Sequence, residues 1–284
     1  MAGLLPTGTF AGSGRGWMYR PMRWLANKYV VELAIFTVGY LFYMSVKRLF
    51  VPDLEAVAFE NAHKLIELEL TLRFFWEPDI QSWLLDNMRW VVVFFNWAYT
   101  LAFFPILIPA AVYLFVFRHR TYVYYRSIFL ISYPATWLLY LMVPTAPPRL
   151  LQEFGFVDTI QSMGPALYND RNAVALFNQF SAMPSMHFGW TLLFAIIFLK
   201  SRHLPLKLFG VLYPGVSLSA IVVTGNHYII DAIVGGGIIV GSYSIYVAFR
   251  QPGFGPVAWL RPGLARAAHR FRRASGEAIR QGPR

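Results

Sequence analysis

Apolar positions along the chain fall in long blocks separated by short polar or basic stretches. The blocks run about Tyr29–Phe50, Trp90–Phe117, Tyr122–Val143, His187–Leu199, Leu206–Val223 and Tyr228–Phe249. A helix needs about twenty mostly apolar residues to cross a bilayer, so the pattern predicts six transmembrane helices. The fourth block is short, but it extends backwards over Met183–Met186. Pro52 and Asp53 stop the first block and Pro144 the third. The second contains Pro105 and Pro109. It is predicted to form one tilted, kinked helix, because two pieces would each be too short to cross.

A different pattern fills the connection Asp53–Arg89. Leu65, Leu68 and Leu72 recur at helical spacing, with Glu60, Lys64, Glu67 and Arg73 between them. This predicts an amphipathic helix lying on the membrane surface. Trp76 and Trp83 suit a membrane–water boundary. The alternative is a lid over a substrate entrance. The expected fold class is therefore an all-α polytopic membrane protein, a six-transmembrane-helix bundle with an amphipathic helix between helices 1 and 2. The expected domains are a basic segment 1–28, a membrane domain 29–249 and a basic tail 250–284. The Gly-rich start is not read as a cleaved signal peptide, since the apolar run after it is too long and no small-residue cleavage site ends it.

Composition supports the membrane reading. The 284 residues are 57% hydrophobic and 14% charged, whereas a soluble domain carries about a quarter charged residues. There is no cysteine, which excludes disulfides and thiolate metal sites. The net charge of +11 would suit nucleic acid, but its distribution follows topology. Residues 1–28, the 118–126 and 200–207 connections and the tail carry 18 of the 25 Lys and Arg, while eight acids lie between Asp53 and Asp86. The positive-inside rule then places both termini in the cytoplasm, with no nucleic-acid partner. The loops after spans three and five, and the turns before spans four and six, fall on the extracytoplasmic side.

Two stretches on that side carry the candidate chemistry, Met183–His187 and Gly225–Asp231. Each opens an apolar block. Ionisable groups at membrane depth are costly and mark function by default. His227 and Asp231 are four apart, so on a helix they share a face. The carboxylate there accepts from one imidazole nitrogen and fixes the other as the unprotonated, nucleophilic one. His187 arrives from another segment as an acid–base partner. The bland alternative is a buried histidine that caps or packs. Pro144, Pro147 and Pro148 force an extended shape that holds Arg149 in place, and a guanidinium matches two phosphate oxygens at once. Gly235, Gly236 and Gly237 permit close helix packing.

Arg149 after span three, Pro184-Ser185-x-His187, and Gly225-x-His227-x-x-x-Asp231 resemble the type-2 phosphatidic acid phosphatase (PAP2) superfamily, in order and in placement. Ala146–Leu150 and Thr224–Tyr228 look most like the branch related to fungal inositol phosphorylceramide synthase. The resemblance covers about Trp90–Gly241. It implies a six-helix membrane core and phosphoryl transfer without metal or cofactor. By position, His227 becomes phosphorylated, Asp231 orients it, and His187 protonates the leaving alkoxide and then activates the acceptor. Arg149 holds phosphate oxygens, with Ser185 and Asn226 as further phosphate contacts. The implied partners are a membrane lipid substrate and a polyol or sugar acceptor, if the acceptor is not water.

The chain departs from the common PAP2 pattern at two places. Ala220 and Ile221 stand where a Ser-Arg pair is usual, and no lysine lies upstream of Arg149, at Met142 or Val143. Lys47, Arg48 or Arg171 are candidate substitutes. Two other functional classes fit part of the pattern. A transporter or channel would use the two histidines and Asp231 for ion passage, but no internal repeat is present. A zinc hydrolase would use the same three residues as ligands and leave Arg149 and the Pro-Ser turn without a role.

Overall fold

The computed structural model describes residues 27–39, 41, 54–165 and 179–250. The chain divides into two units, Met1–Pro52 and Asp53–Arg284. In the first, a helix over 27–39 (α1) covers the start of the expected first span. The rest of that span, the basic N-terminal segment and the C-terminal tail lie outside the described residues, as do Lys47, Arg48 and Arg171.

The described part of the second unit is helical, with one isolated parallel bridge between Thr145 and Ser181. Its helices are α2 (Leu54–Thr71), α3 (Glu77–Asn87), α4 (Arg89–Trp97), a π-helical turn (Ala98–Ala102), α5 (Phe103–Phe117), α6 (His119–Met142), the short α7 (Thr159–Met163), α8 (Met186–Leu199), α9 (Leu204–Val223) and α10 (Ile229–Arg250). The central helix is α8, which packs against α9, α10 and α6. Helices α9 and α10 are long and apolar enough to cross a membrane. The bent run Arg89–Thr100 and Phe103–Phe117 passes as a third span if taken together. Helix α8 is apolar but has 14 residues, or roughly 21 Å at 1.5 Å per residue. Helix α6 is 24 residues long but includes Arg120, Arg126 and several tyrosines. Large apolar side chains point outward, among them Phe104, Ile108, Leu208, Leu212, Ile233 and Val240. Outward apolar rows on helices whose backbone groups are internally bonded suit a lipid surround, and the protein is membrane-embedded.

The expected kink in the second span is present as a 41° bend, and it falls at the π-helical turn. Pro105 explains the position. It offers no N–H to the carbonyl of residue 101, and its ring crowds that carbonyl, so the ladder widens one turn earlier.

The Asp53–Arg89 connection differs from expectation. It holds two helices, and the buried stripe of α2 is Ala58, Ala62, Leu65, Ile66 and Glu69. Leu68 and Leu72 are about half exposed. Small residues won the inner face because the 144–147 segment lies directly on it. The Ala146 N–H donates to the Ala58 carbonyl at 3.0 Å, and Asn61 Nδ2 donates to the Pro144 carbonyl at 2.8 Å. A leucine at 58 or 62 would push that segment away.

Glycines set the approach of α8 to α10. A Cβ on Gly189 would stand 2.8 Å from the Gly235 carbonyl oxygen, and one on Gly235 would collide with the Ser185 backbone. Gly236 has ordinary contacts and Gly237 faces open space, so the first glycine of the run is the one that packing requires.

Candidate active site

Helix α9 ends in a tight reversal that presents the second histidine. The Gly225 N–H donates to the Val222 carbonyl at 2.9 Å and the Asn226 N–H to the Ile221 carbonyl at 3.1 Å. This crossed pair closes a helix through a left-handed residue, and Gly225 has φ +64°. A side chain there would also press on Arg149, whose backbone N lies 3.2 Å from the Cβ position. Both constraints select glycine.

The chain then enters α10 with His227 almost buried. Its Nδ1 lies 2.6 Å from the Ala182 carbonyl oxygen and 3.6 Å from Asp231 Oδ2. A carbonyl only accepts, so Nδ1 carries the proton and Nε2 is the free lone pair. The free nitrogen expected from sequence is there, but its main hydrogen bond goes to a backbone carbonyl. Asp231 stands behind as a charge and as a cap: its Oδ2 accepts from the Tyr228 N–H at 2.9 Å. Its own carbonyl accepts from the Ser185 N–H at 2.9 Å, which ties the two histidine motifs together.

The first motif begins with a cis Met183–Pro184 bond. Ser185, wholly buried, caps α8 and accepts from the Phe188 N–H at 3.5 Å. Ser185 is therefore engaged as a helix cap. His187 lies in the first turn. Its ring is flanked by Tyr99 and Phe103, each with a centroid distance of 4.6 Å, and faces the His227 ring at 5.8 Å. The π-helical turn brings both aromatic residues onto that ring, a use typical of such bulges. No hydrogen bond holds the His187 ring nitrogens among the described residues. A small, open pocket lies beside this ring, lined by Tyr99, Phe103, Tyr213 and Ser217 among others.

Pro147 is extended, as its prolyl neighbours require, and Pro148–Leu150 forms a 3-10 turn that carries Arg149. The Arg149 N–H donates to the Gly225 carbonyl at 2.7 Å, and its Nη1 to Asn226 Oδ1 at 2.8 Å. Nε lies 3.5 Å from Asp158 Oδ2. The other guanidinium N–H groups have no partner among the described residues. Asn226 also donates to Thr224 Oγ1 at 2.7 Å, so its amide is spent on holding Arg149 and the turn.

Arg149, Ser185, His187, Asn226, His227 and Asp231 thus come together from three separate segments. Tyr99, Phe103 and the Ala182 carbonyl join them without a signal in the sequence. A carbonyl has no residue identity, and the two aromatic rings sit in a span rich in aromatic residues. Further support comes from α3. Gln81, wholly buried, donates to the Val223 carbonyl at 2.9 Å and exchanges hydrogen bonds with Val157. Among the described residues no three of His, Cys, Asp or Glu are grouped as metal ligands.

The geometry joins an imidazole with a fixed lone pair, a second imidazole with unengaged nitrogens, and a cation with open N–H groups. Such a set serves phosphoryl transfer. No curated protein and no solved structure shows significant similarity to the chain. A family model described as PAP2 superfamily matches residues 63–245, well over half of the sequence. The chain belongs to the PAP2 superfamily, whose members are generally phosphatases and phosphotransferases.

Proposed function

We propose that the chain is a six-span membrane enzyme that cleaves or transfers a lipid phosphate or phosphodiester through a phosphohistidine on His227. The observation that carries this reading is the Ala182 carbonyl on His227 Nδ1, which leaves Nε2 as the nucleophile. Nε2 attacks phosphorus, a P–N bond forms, and the P–O ester bond breaks. His187 gives its proton to the departing alkoxide. It then takes a proton from the acceptor hydroxyl, whose oxygen attacks phosphorus and frees His227. Arg149 neutralises the equatorial oxygens. Asn226 positions Arg149, and Ser185 caps α8 under His187. No metal or other cofactor enters these steps.

The acceptor divides the reading into a phosphatase, using water, and a phosphotransferase, using a polyol or sugar. The second resembles the inositol phosphorylceramide synthase branch. Ala220 and Ile221, buried where the common pattern has Ser-Arg, support that branch, which tolerates the change. Purified protein in detergent, given a panel of lipid phosphates with and without inositol and other alcohols, tests both. Inorganic phosphate when water is the acceptor, or a new phosphate ester of the added alcohol, is the expected result. Neither product from any substrate, by protein that is folded, overturns the reading.

The membrane domain 29–249 is flanked by basic cytoplasmic segments in this proposal, and the site faces the extracytoplasmic side. Gln161, exposed on α7, and Arg120 test it. In intact cells an impermeant maleimide labels Gln161→Cys and spares Arg120→Cys. The reverse pattern puts the site in the cytoplasm.

A further inference from the structure

Helices α2 and α3 carry two buried acids that the chemistry above does not use. Glu69 and Glu77 have no solvent exposure. Glu69 Oε1 accepts from the Ile230 N–H at 3.0 Å, and Glu77 Oε1 from the Ile229 N–H at 2.9 Å. These are the first two N–H groups of α10, donors that a helix leaves without internal partners. Asp231 bonds the N–H just before them, on Tyr228. Three carboxyls therefore hold the start of the helix that carries Asp231, two residues after His227.

The Glu69 and Glu77 side chains lie beside each other at this helix start, and their Oε2 atoms are buried with no hydrogen-bond partner. Two carboxylates held side by side on neighbouring N–H groups, with no exposure to water, disfavour a second charge, so one of them keeps a proton. Among the described residues no Lys, Arg or His pairs with either acid. The charged group facing them from α10 is Asp231, with His227 beyond it. Glu153, from the 3-10 turn Gln152–Phe154, faces the neighbouring Tyr228. Burial, and then the Glu77 charge, push Glu69 up to about 9. Burial raises Glu77 as well.

We propose that Glu69 and Glu77 share one proton, Glu69 donating to Glu77, and that this singly charged pair positions the first turn of α10 and with it His227. The positioning role rests on the reading of His227 as the nucleophile; the shared proton does not. Loss of the proton would set two adjacent anions beside Asp231 and drive α2 and α3 from the helix start. Gln is the matched replacement at 69, because its amide oxygen accepts from Ile230 and its N–H donates to Glu77.

The sign of the pH effect follows from linkage. Glu69 keeps its proton in the folded chain up to about 9 but loses it near 4.5 when unfolded. Stability is fully present below the lower value and falls as pH rises towards the upper one. The experiment is thermal unfolding of detergent-purified full chain across that window, for wild type and Glu69→Gln, with turnover measured alongside. Wild-type Tm should fall with rising pH, and the slope should flatten in Glu69→Gln. Equal slopes overturn the shared proton, whether or not a substrate has been found. For positioning, Glu69→Leu should lower kcat at least tenfold on the order of magnitude expected for a displaced nucleophile, with KM little changed. Glu69→Gln should restore most of that loss. Normal turnover in Glu69→Leu, or no recovery in Glu69→Gln, overturns the positioning role.

Discussion

His187 and His227 face each other at 5.8 Å, yet their surroundings are opposite in kind. His227 sits among main-chain groups and carboxylates, with Nδ1 bonded to the Ala182 carbonyl and Asp231 behind it. His187 sits between two aromatic rings, and its nitrogens have no hydrogen bond among the described residues. A polar cradle fixes a tautomer, which a nucleophile needs. An aromatic sandwich fixes the ring plane and leaves the nitrogens open, which a group that must gain and lose a proton needs. The two motifs look alike in sequence, and their environments divide the work between them.

The largest effect of breaking that division comes from His227→Ala, which should abolish turnover while the protein still folds and inserts. His187→Ala should slow an alkyl phosphate ester by about 10²–10⁴-fold, the usual scale of a lost general acid. A nitrophenyl ester, whose leaving group needs no proton, should recover most of that loss. Rescue of His227→Ala in place of His187→Ala would reverse the assignment.

Asp231→Asn should cost on the order of one hundredfold, as for other carboxylate–histidine pairs. The asparagine keeps an acceptor for the Tyr228 N–H but loses the charge that steadies an imidazolium. A near-normal rate would leave Asp231 as a helix cap. The smallest effect belongs to the sandwich. An aromatic contact is worth about 0.5–1.5 kcal/mol, so Phe103→Leu should slow turnover by roughly two- to tenfold at unchanged expression. A loss as large as that of His187→Ala would mean that Phe103 touches substrate.

Much of this arrangement was legible in the residue pattern. The predicted ends of the last three apolar blocks agree within one or two residues with α8, α9 and α10, because Ser185, Gly225 and the prolines are strong local signals. The run from Gly225 to Asp231 gave the turn, the histidine and the cap together. What stayed hidden is non-local. The partner of His227 is a carbonyl 45 residues away. The buried stripe of α2 follows Ala58 and Ala62, whose role appears only when the 144–147 segment lies on them. Glu69 and Glu77 are two of the eight acids between Asp53 and Asp86, nothing in that pattern sets them apart, and only the start of α10 shows what they hold.

The central claim is that Nε2 of His227 takes the phosphoryl group. The most direct test is rapid quench of the enzyme with a substrate labelled at phosphorus, under alkaline conditions that preserve phosphohistidine, followed by peptide mapping. The label should fall on the peptide containing His227 and be absent in His227→Ala. Label on the His187 peptide, or turnover by an enzyme that never carries label, would contradict it.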